Sequence, residues 1–137
     1  MSTNKERIIL VVDDEQEVRL MLSHLFCQAG YNTLEAADGK EAVEIIRKKL
    51  PDLVVIDLMM PVMNGVEATK EIRKLMGGDS LPIIALTAYD LHQLVLPEEE
   101  KQLWQEILKK PISIKRLRTV VAEMLGSRSL EQHNSQN

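Results

Sequence analysis

Apolar residues fall along this chain in two rhythms. The runs Ile8–Val12, Leu53–Ile56 and Leu81–Leu86 are apolar at nearly every position, and each gives way abruptly to a polar residue: Asp13, Asp57 and Thr87. A run without alternation suits a strand covered on both faces, the habit of parallel sheets. Thr33–Ala36 reads as a weaker strand and Glu106–Lys109 as a short fifth one.

Between the runs the rhythm turns helical. Val18, Met21, Leu22, Leu25, Phe26 and Ala29 recur at i, i+3, i+4 spacing, and Gly30 stands where that helix should stop. Asp38-Gly39 opens a second helix, with Ala42, Val43, Ile46 and Leu50 on one face and Pro51 as its end. Asn64-Gly65 precedes a third that carries Val66, Thr69, Ile72 and Leu75, and Gly77–Ser80 reads as a loop. Residues 88–109 are the least regular part. A fourth helix is expected near Glu98–Gln105, its start limited by Pro97. Ile112-Ser113 starts a fifth, through Leu117, Val120, Val121 and Met124 to Gly126.

The order βαβαβαβαβα, joined by short connections and right-handed crossovers, predicts an α/β fold. The expectation is a doubly wound, five-stranded parallel sheet with helices on both faces, spanning residues 1–126. Residues 127–137 are polar and without period, and read as a disordered tail or a linker cut short.

Composition narrows the classes. With 137 residues, 45% hydrophobic and 28% charged, the chain suits one soluble domain with an adequate core. Aromatics are only 3%, so aliphatic side chains and seven Met must fill the interior. Seventeen basic against twenty-one acidic residues leave a net charge of −4, which argues against a nucleic-acid footprint. No run approaches the ~18 apolar residues of a membrane span, and the polar start carries no signal-peptide pattern, so the expected location is cytoplasmic. Cys27 is the one cysteine, so neither an internal disulfide nor a cysteine metal cluster can form. Its place among apolar residues at helical spacing predicts a buried, inert thiol. His24, His92 and His133 have no metal-site spacing.

The chemistry lies where the strands end. Asp13 and Asp14 follow the first strand, Asp57 the third, Thr87 the fourth and Lys110 the fifth. Parallel strands bring their C-terminal ends to one edge, where open α/β sheets bind ligands. A lone Asp after a strand is usually a turn residue or helix cap, and Asp38 and Asp52 take that role. Several such groups at four strand ends read differently. Close carboxylates repel unless a cation intervenes, and hard oxygen donors favour Mg²⁺ with waters and a phosphate. The chain has neither GxxxxGK[ST] nor GxGxxG, so nucleotide binding by the usual loops is not expected. Asp57 is then the candidate nucleophile, forming an aspartyl phosphate.

At this point the residues match a family. Val12-Asp13-Asp14-Glu15, Asp57 through Met60-Pro61 followed by Gly65, Leu86-Thr87-Ala88 and Lys109-Lys110-Pro111 together resemble the receiver domain of two-component response regulators, across roughly residues 7–126. The fold implied is flavodoxin-like, and the nearest type is a single-domain, chemotaxis-regulator-like receiver. The resemblance implies that Asp57 takes a phosphoryl group from a histidine kinase or a small phosphodonor. It also implies that Asp13, Asp14, Asp57 and the Met59 carbonyl hold Mg²⁺, with no other cofactor. Lys110 and Thr87 then contact the phosphoryl oxygens, and Lys110-Pro111 is cis. The implied partners are a sensor histidine kinase or phosphotransfer protein, and a downstream protein at the face formed by the fourth helix, fifth strand and fifth helix. Direct contact with nucleic acid or membrane is not expected, since only eleven residues follow Gly126.

Three departures stand out. Ile107 occupies the position three before the lysine where the family usually has Tyr or Phe, so the usual threonine–aromatic coupling is expected to be absent or rerouted. Two readings stand for Trp104: an anchor for a partner, or a partly buried ring packing a weak helix. Met59 and Tyr89, two residues after Asp57 and Thr87, offer little help to an attacking water, which predicts slow loss of phosphate. Two alternatives compete with the switch. A degenerate receiver would serve only as a docking module. An aspartate-nucleophile phosphatase would need a second Asp where Met59 stands.

Overall fold

The computed structural model describes residues 7–60, 62–89 and 96–126. The expectations placed on Pro61, His92, His133 and the 127–137 tail lie outside these residues, as does part of the irregular segment. Five strands form the sheet: β1 Ile8–Val12, β2 Asn32–Ala36, β3 Leu53–Asp57, β4 Ile83–Thr87 and β5 Glu106–Lys109. Every pairing is parallel, in the order β2-β1-β3-β4-β5. The helices are α1 Gln16–Gln28, α2 Gly39–Lys48, α3 Gly65–Arg73, α4 Glu98–Lys101 and α5 Ile114–Val121, and α5 runs on into a π-helical turn at Ala122–Gly126. This is the expected architecture.

The period of two along each strand divides the interior into two layers. Leu10, Val12, Val54, Ile56, Ile83 and Ala85 pack against Ala42, Val43 and Ile46 of α2 and Ala68 and Ile72 of α3. Ile9, Val11, Leu53, Val55, Ile84, Leu86 and Leu108 pack against Leu22, Leu25 and Phe26 of α1 and Leu117, Val120 and Val121 of α5. Strands buried on both faces have no solvent face to decorate, which is why their sequence shows no alternation.

Helix ends follow local chemistry. The Asp38 carboxylate accepts from Glu41 N at 2.8 Å, Asn64 Oδ1 from Glu67 N at 2.9 Å and Ser113 Oγ from Arg116 N at 3.1 Å. Each satisfies a donor that the first turn of its helix leaves without a partner. Gly30, at φ 97°, ends α1 in a conformation that a side chain would oppose. Asp52 is no helix cap; its carboxylate accepts from Ile8 N at 2.7 Å and ties the entries of β1 and β3 together.

Several expectations need correction. The buried stripe of α1 is narrower than its apolar spacing: Met21 is 45% exposed, and Ala29 is exposed as well. Cys27 is exposed rather than buried, with its sulfur 3.6 Å from Thr33 Oγ1. It sits one residue, about 100° of helix, beyond Phe26 and so turns off the stripe. Leu50 lies past the end of α2 and is 44% exposed. α4 has four residues instead of about eight, because the chain leaves the helix at Gln102 and carries Trp104 into the core.

Trp104 is only 5% exposed, which overturns its reading as a partner anchor. Its indole Nε1 donates to Thr69 Oγ1 at 2.9 Å, and that hydroxyl donates to the Gly65 carbonyl at 2.6 Å. The segment around it is tied down by Arg73. Nη1 of this guanidinium donates to the Gly78 and Leu81 carbonyls at 2.7 and 2.6 Å, and its Nε to the Leu103 carbonyl at 3.1 Å. Gln105 Oε1 accepts from Ile83 N at 2.7 Å, extending the β4–β5 contact by one residue.

The Trp104–Thr69 bond gives a direct stability test. Thr69→Val keeps the shape and removes the acceptor, leaving a buried indole N–H without a partner, which costs about 1–3 kcal/mol. Urea unfolding should show an unchanged slope and a lower midpoint, the shift being that free energy divided by the slope. A variant as stable as wild type would mean that the indole N–H finds another acceptor.

Candidate functional site

The sheet delivers its polar residues to one edge by register. Asp57 is the last residue of β3 and Thr87 the last of β4; Asp13 follows β1 and Lys110 follows β5. The ladders continue past the strand ends: Asp13 N donates to the Ala36 carbonyl at 3.2 Å, Leu58 N to Leu86 at 2.8 Å and Lys110 N to Thr87 at 2.7 Å. Each functional side chain is therefore carried on backbone held by a neighbouring strand. Asp57 continues the alternation of Leu53 and Val55, toward the layer that α1 and α5 cover.

The carboxylates of Asp13, Asp14 and Asp57 converge, with one oxygen of each within 4.8 Å of the others. Asp13 and Asp57 are buried and Asp14 is exposed, so the cluster opens to solvent on one side. The Lys110 ammonium bridges the two buried acids, at 3.2 Å from Asp13 Oδ2 and 3.1 Å from Asp57 Oδ2. The remaining oxygens are held by backbone: Asp13 Oδ1 accepts from Glu15 N at 2.9 Å and Asp57 Oδ1 from Met59 N at 3.0 Å. Burial raises the Asp57 pKa above the usual carboxylate value, against the pull of the Met59 N–H and Lys110. Burial alone would lower the Lys110 pKa, but attraction to Asp13 and Asp57 outweighs it and leaves the pKa raised. One ammonium between two buried carboxylates and a third acid leaves the cluster short of positive charge. The donors are all hard oxygens, so the residues fit a small divalent cation such as Mg²⁺.

Thr87 is fully buried, and its Oγ1 accepts from Tyr89 N at 3.1 Å. Met59 and Tyr89, in the loops after β3 and β4, are about half exposed, at 49% and 47%. Lys110-Pro111 is cis, as expected. Ile107 is half-buried and packs in the layer that holds Trp104. Asp38 stays at the start of α2 as a cap. His24 is exposed and outside the cluster.

The loop between β3 and α3 is built around a close approach. A Cβ on Gly65 would lie 2.5 Å from the Asp57 carbonyl oxygen and 2.7 Å from Leu58 Cα, so only glycine lets α3 begin directly behind Asp57. Gly65 N donates to the Leu58 carbonyl at 3.2 Å and closes the loop. Inside it, Val62 has φ 69°, a left-handed conformation that a β-branched residue resists.

A group that no motif marked lies behind Asp13. Arg19 Nη1 donates to the Asp13 main-chain carbonyl at 2.7 Å, and its Nε to Glu35 Oε1 at 3.3 Å. Ser23 Oγ donates to the other Glu35 oxygen at 3.2 Å. The only signal in the sequence is a charged residue and a hydroxyl beside the apolar stripe of α1, which is a weak one.

The response regulator receiver domain model matches residues 9–122. This chain belongs to the response regulator receiver family. Sporulation initiation phosphotransferase F of Bacillus subtilis (strain 168) is 34% identical over 122 residues, covering 88% of this receiver and 95% of that protein. Response regulator MprA of Mycolicibacterium vanbaalenii is 45% identical over 82 residues, which are 60% of this receiver but 35% of MprA, so the match spans about a third of that protein. Among solved structures, the response regulator TrrA from Thermotoga maritima, in complex with Mg(2+)-BeF, aligns with a TM-score of 0.76 at 32% identity. That alignment covers 87% of this receiver and 99% of TrrA.

Val62 supplies the prediction for this loop. Its side chain is 82% exposed, so packing returns little for the strain. Asn tolerates the left-handed region, and Val62→Asn should stabilise the receiver by about 1 kcal/mol, read as a higher urea midpoint. A lower midpoint would show that the Val62 side chain contributes more than its exposure suggests.

Proposed function

We propose that this receiver is a phosphoacceptor switch in which Asp57 takes a phosphoryl group from a histidine kinase, or from a small phosphodonor, in a Mg²⁺-dependent reaction. The observation that carries this reading is the convergence of the Asp13, Asp14 and Asp57 carboxylates, with Lys110 bridging the two buried ones. Asp13, Asp14, Asp57 and the Met59 carbonyl would hold the Mg²⁺, which when bound supplies neutralising charge to the phosphoryl oxygens.

The chain's own residues do the rest. An Asp57 carboxylate oxygen forms the new bond to phosphorus as the bond to the donor's imidazole nitrogen breaks. That nitrogen keeps the electron pair and takes up a proton. The Met59 N–H fixes the rotation of the Asp57 carboxylate before reaction. Lys110 is already seated against Asp57 Oδ2, where the incoming charge would arrive. Thr87 accepts a hydrogen bond from Tyr89 N and still has a hydroxyl proton to donate to a phosphoryl oxygen.

Phosphorylation adds roughly −1.5 to −2 charges at one buried point, enough to bias a two-state surface. The downstream reader would be a protein at the α4–β5–α5 face, and the unit a regulatory switch rather than a turnover enzyme. Among the described residues no helix is long and apolar enough to cross a membrane. Met59 at the place of a second acid speaks against a phosphatase.

Incubation with acetyl phosphate should add the mass of one phosphate to wild type with Mg²⁺, and none without Mg²⁺ or to Asp57→Asn. An adduct that persists in Asp57→Asn would move the acceptor elsewhere. Failure to bind Mg²⁺ at all would favour a docking module. The phosphorylated form should also be long-lived: Met59→Asn with Tyr89→Glu should lose phosphate several-fold faster than wild type. Equal lifetimes would mean that these two side chains do not limit access of the attacking water.

A further inference from the structure

Asp13 is the most enclosed member of the acidic cluster. It is fully buried, and each of its polar groups has a named partner. Its N–H meets the Ala36 carbonyl, Oδ1 meets Glu15 N and Oδ2 meets Lys110. Its own carbonyl oxygen accepts from the guanidinium of Arg19, on α1, at 2.7 Å. That guanidinium is aimed by Glu35 at the end of β2, and Glu35 is held in turn by Ser23 of α1. The Arg19 side chain is 16% exposed and that of Glu35 36%, so the guanidinium is largely covered while its acidic partner borders solvent.

We infer that Arg19, oriented by Glu35 and Ser23, is a positioning residue for the divalent-cation site, acting through the backbone of Asp13. The inference rests on the proposed Mg²⁺-dependent reading of that site. A peptide carbonyl fixed at its oxygen cannot rotate, and the Asp13 side chain leaves the chain one bond away. The other end of the β1–α1 turn is held independently of that side chain, by the first main-chain bond of α1, from Arg19 N–H to the Glu15 carbonyl at 3.1 Å. Asp13, Asp14 and Glu15 therefore form a turn pinned at both ends. Partners of this kind, one step removed from the ligands, typically govern metal affinity by ten- to a hundredfold.

The sign of the effect separates positioning from simple charge. Arg19 is a cation near an acidic site, so as a charge alone it repels Mg²⁺, and its removal would tighten binding. As a positioning donor its removal loosens the turn and weakens binding. As a purely structural group its removal lowers stability and leaves the affinity of the folded protein unchanged.

The experiment is a Mg²⁺ titration of the folded protein, followed by the amide resonances of Glu15 and Met59. Wild type, Arg19→Met, Arg19→Lys, Glu35→Gln and Ser23→Ala are compared, with the exposed Arg47→Met as control. Arg19→Met should weaken Mg²⁺ binding by about tenfold or more. Glu35→Gln and Ser23→Ala should weaken it less and in the same direction. Arg19→Lys should recover part of the loss, because an ammonium can reach the carbonyl but lacks the fork that engages Glu35 as well. If Arg19→Met does not fold, Glu35→Gln and Ser23→Ala carry the test alone, since both leave the guanidinium in place. Unchanged or tighter binding in the folded variants would overturn the inference while the Mg²⁺ site itself stands. Absence of binding in wild type would overturn the proposed function beneath it, and this inference with it.

Discussion

One ammonium holds two buried carboxylates together at the edge of this sheet, and much of the molecule is arranged so that it can. Asp13 and Asp57 come from strands that are direct neighbours, β1 and β3, while Lys110 comes from the far edge, beyond β5. Like charges this close are costly: at an effective dielectric of about 20, unit charges 4 Å apart interact by roughly 4 kcal/mol. Lys110 offsets one negative charge of the pair. Burial raises the pKa of Asp57 despite that partner, the mark of a carboxylate that still lacks compensation. The cluster is thus short of positive charge, with the single ammonium set against one oxygen of each buried acid.

That arrangement sets demands on the backbone. Parallel strands alone put groups at one edge to within a residue or so; hydrogen bonds running past the strand ends fix the rest. Leu58 is tied to Leu86, and Lys110 to Thr87, so the Asp57 carboxylate, the Thr87 hydroxyl and the Lys110 ammonium are set by one continuous ladder. Gly65 brings α3 against the back of Asp57 with no room for a Cβ, and Val62 takes a left-handed conformation to complete the same short loop. Strain of this kind persists where surrounding structure over-determines it, and it concentrates beside functional groups.

What could be read in the sequence follows the same division. Strands covered on both faces leave unbroken apolar runs, and their ends are marked by polar residues that no core tolerates without purpose. That made Asp13, Asp57 and Thr87 legible, and placed Lys110 by the rhythm of β5. Helix faces were less legible, because spacing alone does not say how wide the buried stripe is. Met21 and Ala29 fit the periodicity of α1 and still face solvent. Least legible was the stretch before β5. Nothing local announces that Arg73, thirty residues upstream of Leu103, gathers its carbonyl, or that Gln105 replaces a backbone acceptor for Ile83. Such contacts are set by tertiary packing, which overrides the propensity of Glu98–Gln105 for helix.

The same stretch bears on how a change at Asp57 would reach the far side of the sheet. Ile107 has no polar group and lies half-buried in the layer that holds Trp104. The aromatic bulk in this layer comes instead from Trp104, whose indole is bonded to Thr69 and, through it, to the Gly65 carbonyl. Gly65 is the residue that touches the backbone of Asp57. A displacement of α3 with the α4–β5 turn held still would lengthen this buried hydrogen bond, at a cost of order 1–3 kcal/mol for an unpaired indole N–H. Moving the two together avoids that cost. In this receiver the first turn of α3 links the acidic cluster to the segment before β5: Gly65 lies against the Asp57 backbone, and Thr69, one turn on, holds the Trp104 indole.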